Sequence, residues 1–226
     1  MLSKNSQQIR EFVRIRELIQ LFYISFCMSN ARRILGIDPG LNHTGFGVID
    51  AVGDKLSLVT AGCIHVPAGK LSERLGFIFK ELSAVIEETK PDTAAAELVF
   101  VNINPRSTLL LGQARGAALT CAATHGLVVS EFTPSEIKNS VVGTGRATKN
   151  QVQEMMRRLL NIQGEIQSDA ADALACAVTC AHALKLSQLH ATAAVLSKTG
   201  TRAMTSRKSR RGAWEQLIAA KSGKLK

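Results

Sequence analysis

Aromatic residues are scarce in this 226-residue chain: eight Phe, one Trp and one Tyr make up 4% of it. A core must therefore rest on Leu, Ile, Val and Ala, within a hydrophobic content of 46%. That suffices for one well-buried domain with tails, or at most two small ones. Long apolar runs are missing as well. The most apolar stretch near the start, Leu18 to Met28, is too short to span a bilayer and contains Gln20. No convincing small-residue cleavage site follows it before Arg32-Arg33, which argues against a signal peptide, so no membrane association is expected. The cysteines lack pairing. Five of them (Cys27, Cys63, Cys121, Cys176, Cys180) are scattered through apolar segments, which fits free thiols in a reducing cytoplasm. Cys176 and Cys180 lie one helical turn apart with His182 nearby, a conceivable zinc site, but small hydrophobes on a packed helix face is the simpler reading.

The middle of the chain lacks net charge. Residues 33–186 carry 14 Lys and Arg against 15 acids, whereas residues 1–32 carry five against two and residues 187–226 nine against one. The formal charge of +10 thus belongs to the ends. Basic ends favour a polyanion such as nucleic acid, or an acidic membrane surface, without choosing between them. Residues 1–32 read as an N-terminal extension, either not native or not ordered, with Met28 near the true start. Residues 33–186 read as one folded domain. Residues 187–226, a Ser/Thr/Ala/Lys/Arg mixture without sustained apolar period, read as a basic and largely disordered tail, with a helical turn or two over Trp214–Ala220 on binding.

Within the domain, Ile34–Asp38 reads as a buried strand turned sharply by Pro39-Gly40. Gly45–Asp50 and Leu56–Val66 read as two more, joined by a tight turn at Val52-Gly53-Asp54. Apolar residues at Leu75, Ile78, Phe79, Leu82, Val85 and Ile86 give a helical period over Leu71–Thr89, and Pro91 ends it. Strands follow at Thr93–Val99 and Leu127–Phe132, with a small-residue helix from Ser107 to His125 between them and Gly126 as its stop. Thr133-Pro134-Ser135-Glu136 opens a short helix with capping-box spacing. Val142–Arg146 is a glycine-rich loop, and Thr148–Leu160 and Ser168–Leu186 are helices. Three turn-linked strands followed by helix-strand-helix-strand imply an α/β fold. Its mixed five-stranded sheet has three antiparallel strands, then two parallel ones, with helices on both faces.

Four carboxylates stand where burial makes them costly. Asp38 closes Ile34-Leu35-Gly36-Ile37, Glu97 closes Thr93-Ala94-Ala95-Ala96, and Asp169 and Asp172 share a face of an alanine-rich helix. A carboxylate at a buried strand end needs a cation or a donor. Several converging on one point make a hard oxygen site suited to Mg²⁺ or Mn²⁺. Metal-assisted phosphodiester hydrolysis uses such a site, with two ions roughly 4 Å apart, one beside the nucleophile and one beside the leaving 3′-oxygen. Asp38 is the candidate to bridge both ions, Glu97 to hold one, and Asp169 and Asp172 the other. A plain helix-dipole role suits Asp169 alone but explains the quartet poorly.

Ile34-Leu35-Gly36-Ile37-Asp38-Pro39-Gly40, Thr44-Gly45-Phe46-Gly47, Leu111-Gly112-Gln113-Ala114-Arg115-Gly116 and Asp169-Ala170-Ala171-Asp172-Ala173-Leu174-Ala175 together resemble the RuvC family of bacterial Holliday junction resolvases. The resemblance covers roughly residues 33–186, with all blocks in order. It implies an RNase H-like fold, a homodimer, and a Mg²⁺-dependent endonuclease with two ions per subunit, for which Mn²⁺ substitutes. It also implies a four-way DNA junction as substrate, cut by paired symmetric nicks in strands of like polarity, and cooperation with the RuvA–RuvB branch-migration complex in the cytoplasm. On this resemblance Asp38, Glu97, Asp169 and Asp172 are the catalytic, metal-binding acids.

Lys138 and Lys149 match family lysines that approach the scissile phosphate, where an ammonium stabilises developing charge. Each also reads as an ordinary solvated helix-face lysine. Phe100 matches the family's wedge phenylalanine, which can stack on an exposed base, and reads equally as a core residue. Arg146 is a candidate phosphate contact in the glycine-rich loop, and the helix over Ser107–Ala123 matches the family's dimer-forming element. Leu98 and the sparsely basic run Val101-Asn102-Ile103-Asn104-Pro105 depart from what a DNA-facing loop would carry. His43, beside the first turn, reads as an ordinary turn histidine more readily than as a phosphate contact. Two rivals stand beside this reading: another RNase H-like nuclease acting on RNA or hybrids, and a junction-binding adaptor without catalysis. The complete acidic quartet argues against the second.

Overall fold

The computed structural model describes residues 31–99 and 105–193; the expectations for residues 1–30, Phe100 and the tail past residue 193 lie outside the described residues. The described residues fall into two units, divided between residues 182 and 183. In the first, β1 (Arg32–Asp38), β2 (His43–Val52) and β3 (Lys55–His65) form an antiparallel meander. Gly53 adopts φ +60° in the β2–β3 turn, a left-handed conformation that glycine takes without strain. Helix α1 (Leu71–Thr89), β4 (Thr93–Glu97), α2 (Pro105–Thr124) and β5 (Val128–Phe132) follow. The sheet order is β3-β2-β1-β4-β5, with β4 and β5 parallel to β1. The mixed five-stranded sheet expected from the sequence is the one observed.

Helix α3 (Pro134–Val142) is opened by Thr133, whose hydroxyl accepts from the Glu136 amide in a complete capping box. Helix α4 (Lys149–Leu159) repeats the device with Thr148 and Gln151. Residues 168–182, here α5, are helical and end the first unit.

The strands' alternation divides the helices between the two faces. Leu35, Ile37, Val48, Ala94 and Ala96 join α1 (Ile78, Leu82, Ile86) and α2 (Ala114, Ala118, Cys121) in one core. The intervening residues face α5 on the opposite side. There Gly36 abuts the backbone of Ala173 and Ala177, Gly45 that of Asp169, and Gly47 the side chain of Leu174. Gly36 and Gly47 are cross-strand partners, so these glycines form a bare patch on which α5 lies directly against the sheet. A Cβ at Gly36 or Gly45 would overlap helix backbone, which cannot give way as a flexible side chain can.

In the second unit residues 183–193 are helical. Residues 187–193 read from the sequence as the start of the tail, and here they are helical. Alanine, leucine and glutamine favour helix there, and the Ser187 and Thr192 hydroxyls donate back to the carbonyls of Leu184 and Gln188 at 2.7 and 2.9 Å.

Candidate active site

The β1–β4 register pairs Ile37 with Ala96, so Asp38 and Glu97 follow at the same end of adjacent parallel strands. Both belong to the alternation set facing α5. Asp172 projects from α5, Lys138 from α3, and Lys149 from the first turn of α4. These five side chains line one cleft of about 210 Å³, walled on its apolar side by Pro134, Ile137 and Val152. Lys149 Nζ donates to Asp172 Oδ2 at 3.0 Å.

Asp169 sits at the margin rather than in the cleft lining. It abuts Gly45, the cross-strand partner of Asp38, and its Oδ2 accepts from the Cys63 thiol at 3.4 Å. Burial and the acid beside it push that thiol up to about 11. Burial, reinforced by the charges of Asp172, Glu97 and Asp169, pushes the Asp38 carboxyl up to about 7; Lys149 opposes the shift. Glu97 is also raised, mainly by burial and then by Asp172, with Lys149 and Lys138 acting against it. The donor set fits a hard divalent cation: Asp38, Glu97 and Asp172 share the cleft, and such an ion would relieve the repulsion among them.

Arg146 is exposed and is not among the residues lining the cleft, and Phe100 is outside the described residues. Cys176 and Cys180 are buried free thiols in α5, whereas His182 is exposed, with its Nδ1 3.0 Å from the Ser140 hydroxyl. The packed-face reading of the two cysteines therefore holds over the zinc reading.

Two supporting residues escaped sequence reasoning. Arg115 of α2 donates to the Glu97 carbonyl at 3.2 Å and pairs with Glu131 on β5, anchoring the strand end that carries Glu97. It lies inside the recognised Leu111–Gly116 block, but its target is visible only in three dimensions. Cys63 reaches Asp169 because β3 pairs it with Gly45, a fact hidden until the hairpin register is known.

A mixed sheet of this order, with acids at the ends of its two central strands and on the helix across them, defines an RNase H-like nuclease. A family model described as "Crossover junction endodeoxyribonuclease RuvC" matches residues 34–180. The crossover junction endodeoxyribonuclease RuvC of Burkholderia cenocepacia is 55% identical over 171 residues, covering 75% of this chain and 95% of that one. A solved structure, T. thermophilus RuvC in complex with Holliday junction substrate, superposes with a TM-score of 0.65 at 30% identity, covering 70% of this chain and 97% of that one. The yeast mitochondrial Holliday junction resolvase shares the fold, with a TM-score of 0.53 at 14% identity over 72% of this chain and 82% of that one. The chain belongs to the RuvC family of crossover junction endodeoxyribonucleases. Among the described residues no helix is long and apolar enough to cross a membrane.

Proposed function

We propose that this protein resolves four-way DNA junctions by paired, symmetric nicks in strands of like polarity. It works as a homodimer in the cytoplasm beside the RuvA–RuvB complex, in recombination and repair. The observation that carries the reading is the single cleft shared by Asp38, Glu97, Asp172, Lys138 and Lys149. Carboxylates alone would repel DNA, and lysines alone would bind without cutting. Both together suit hydrolysis of a phosphodiester.

Asp38, Glu97, Asp169 and Asp172 are assigned to hold two Mg²⁺ per subunit, with Mn²⁺ as a substitute. Bound there, the ions would activate water and neutralise charge at phosphorus and the leaving oxygen. Asp38 is central because the other three acids all act on it. Lys149 holds Asp172 in place by its 3.0 Å hydrogen bond and can exchange that partner for a phosphate oxygen. Lys138, across the cleft, stabilises negative charge developing on the phosphate. Phe100 is assigned to stack on an unpaired base, and Arg146 to hold backbone phosphate at the periphery.

Helix α2 supports the dimer. Leu109, Gly112, Gly116 and Thr120 recur at helical spacing, and all four are exposed. A face of small residues with one large apolar anchor allows close helix approach, and a two-fold axis gives two sites for two strands. The basic ends are assigned to backbone tracking. The test is a nicking assay on a synthetic four-way junction, a linear duplex and an RNA–DNA hybrid, each with Mg²⁺ and with EDTA. Mg²⁺-dependent, paired cuts in the junction alone are expected. Preference for the hybrid would move the protein to another branch of the fold, and junction binding without any nicking would make it an adaptor.

A further inference from the structure

A second cluster of metal-binding side chains stands just outside the acidic cleft. His43 opens β2 and His65 closes β3, and the two are direct cross-strand partners. Cys63 lies two residues before His65, so its side chain emerges on the same face of the strand. One ligand nitrogen from each ring and the Cys63 sulfur all lie within 4.8 Å of one another. The imidazoles meet edge to face with centroids 4.9 Å apart. Both histidines are exposed and Cys63 is half-buried, so an ion reaches the trio from solvent.

Chemically this set differs from the quartet. Two imidazoles and a thiolate are borderline-soft donors that select Zn²⁺ and its neighbours over Mg²⁺. Tetrahedral Zn²⁺, with bonds of about 2.0–2.3 Å, holds its ligands roughly 3.3–3.6 Å apart, so the trio needs to contract by about an ångström. Exposed imidazoles accommodate that by small rotations. The orientation of one ring is already set: His65 Nδ1 lies 3.0 Å from the Cys63 carbonyl, which can only accept. Nδ1 therefore carries the hydrogen and Nε2 presents its lone pair, an arrangement common among metal-ligating histidines. Asp169 stands outside that trio, but its Oδ2 is 3.4 Å from the Cys63 sulfur, near enough to turn in as a fourth ligand.

We propose that His43, Cys63 and His65 form a binding site for Zn²⁺ or a similar transition ion, completed by Asp169, and that its occupation restrains nicking. On binding, the Cys63 S–H bond breaks, its proton goes to solvent and the thiolate sulfur bonds the ion, with no change of oxidation state. The Asp169 oxygen that accepted from the thiol becomes free to turn to the new cation. An acid assigned to the catalytic ions is thereby drawn away from Asp38, along the same face of the sheet towards β3. This second half of the proposal rests on the nuclease reading above; the site itself does not.

The two halves are tested separately on the full-length protein. Co²⁺ added as an optical probe should give thiolate-to-metal charge-transfer absorption saturating at one equivalent, and Zn²⁺ should displace it. Cys63→Ser should abolish that band, and His65→Ala should weaken binding by roughly tenfold or more. His43→Ala should do the same, with circular dichroism confirming that the variants fold. An unchanged titration in Cys63→Ser, or no tight Co²⁺ binding in the wild type, overturns the site. For the coupling, micromolar Zn²⁺ in excess Mg²⁺ should suppress junction nicking by the wild type, while His65→Ala, active with Mg²⁺ alone, should resist it. Equal inhibition of both would put the inhibitory ion in the acidic quartet and overturn the coupling. If the wild type never nicks a junction, the nuclease reading fails while the optical titration still decides the site.

Discussion

A carboxyl pushed up to about 7 is partly protonated near neutrality, and Asp38 is that group in the metal-free protein. Its value in the fold lies above the ordinary carboxylate value of 3.8. The folded state therefore holds the extra proton between about pH 4 and 7, and the stability due to this group is lost as pH rises through that window. Asp38→Asn removes the penalty. In EDTA its melting temperature should exceed the wild type's near about pH 8, by an amount worth at most about 4 kcal/mol. The gap should shrink towards about pH 4 and narrow when Mg²⁺ is added to the wild type. The same substitution should abolish nicking while junction affinity holds or improves, because repulsion of phosphate is relieved. Retained cleavage in Asp38→Asn would falsify the assignment of this acid. Nicking by the wild type at limiting Mg²⁺ should fall below about pH 7 as protons compete for the carboxylates, and more Mg²⁺ should shift the midpoint to lower pH. A rate flat in pH and insensitive to Mg²⁺ would mean that Asp38 does not bind the ion.

Helix α5 brings Asp172 to the cleft because the sheet beneath it is bare of side chains at Gly36 and Gly45. Gly36→Ala would set a methyl against the backbone of Ala173 and Ala177. Overpacking of this kind costs about 1–3 kcal/mol, and lifting the helix also carries Asp172 from the cleft. Gly76→Ala, at an exposed position of α1, meets nothing and should be neutral or stabilise by roughly 0.5–1 kcal/mol. Urea denaturation of the pair should show that contrast, and nicking should fall in Gly36→Ala even where the protein is fully folded. The elements themselves were readable from the chain. The apolar period fixed α1 at Leu71–Thr89, and the capping-box spacing at Thr133 marked where α3 begins. Asp38 and Glu97 were legible because a charge ending an apolar strand calls for a partner. What the chain concealed was lateral: which residue of β3 faces Gly45, and what Arg115 reaches. Such contacts depend on strand register and helix azimuth, which local pattern does not encode. The helical residues 187–193 were missed for another reason, since their polar face resembles a disordered tail when no apolar stripe accompanies it.

At the scale of the whole molecule, the proposed function requires charge and symmetry to act together on a branched polyanion. The chain's net charge of +10 lies in its ends, while the segment bearing the site is nearly neutral. Affinity for any DNA should therefore fall steeply with salt, through counterion release from contacts that carry no positional information. Removing residues 194–226 should flatten that salt dependence and weaken binding to duplex and junction alike, with the cut positions unchanged. Symmetry is tested through Leu109, which is 64% exposed on α2. Leu109→Glu would place like charges across a two-fold axis, where a self-complementary patch meets its own copy. Sedimentation should then report a monomer for the variant and, on the proposed reading, a dimer for the wild type. A monomer retains a complete cleft, so nicking should persist, but the two cuts should lose their coordination. On a supercoiled plasmid carrying an extruded cruciform, the dimer should give linear product directly within one binding event. The monomeric variant should accumulate nicked circles, because one cut relaxes the supercoiling and the cruciform is reabsorbed before a second enzyme arrives. Linear product formed directly by a monomer would show that pairing of the nicks does not come from the α2 interface.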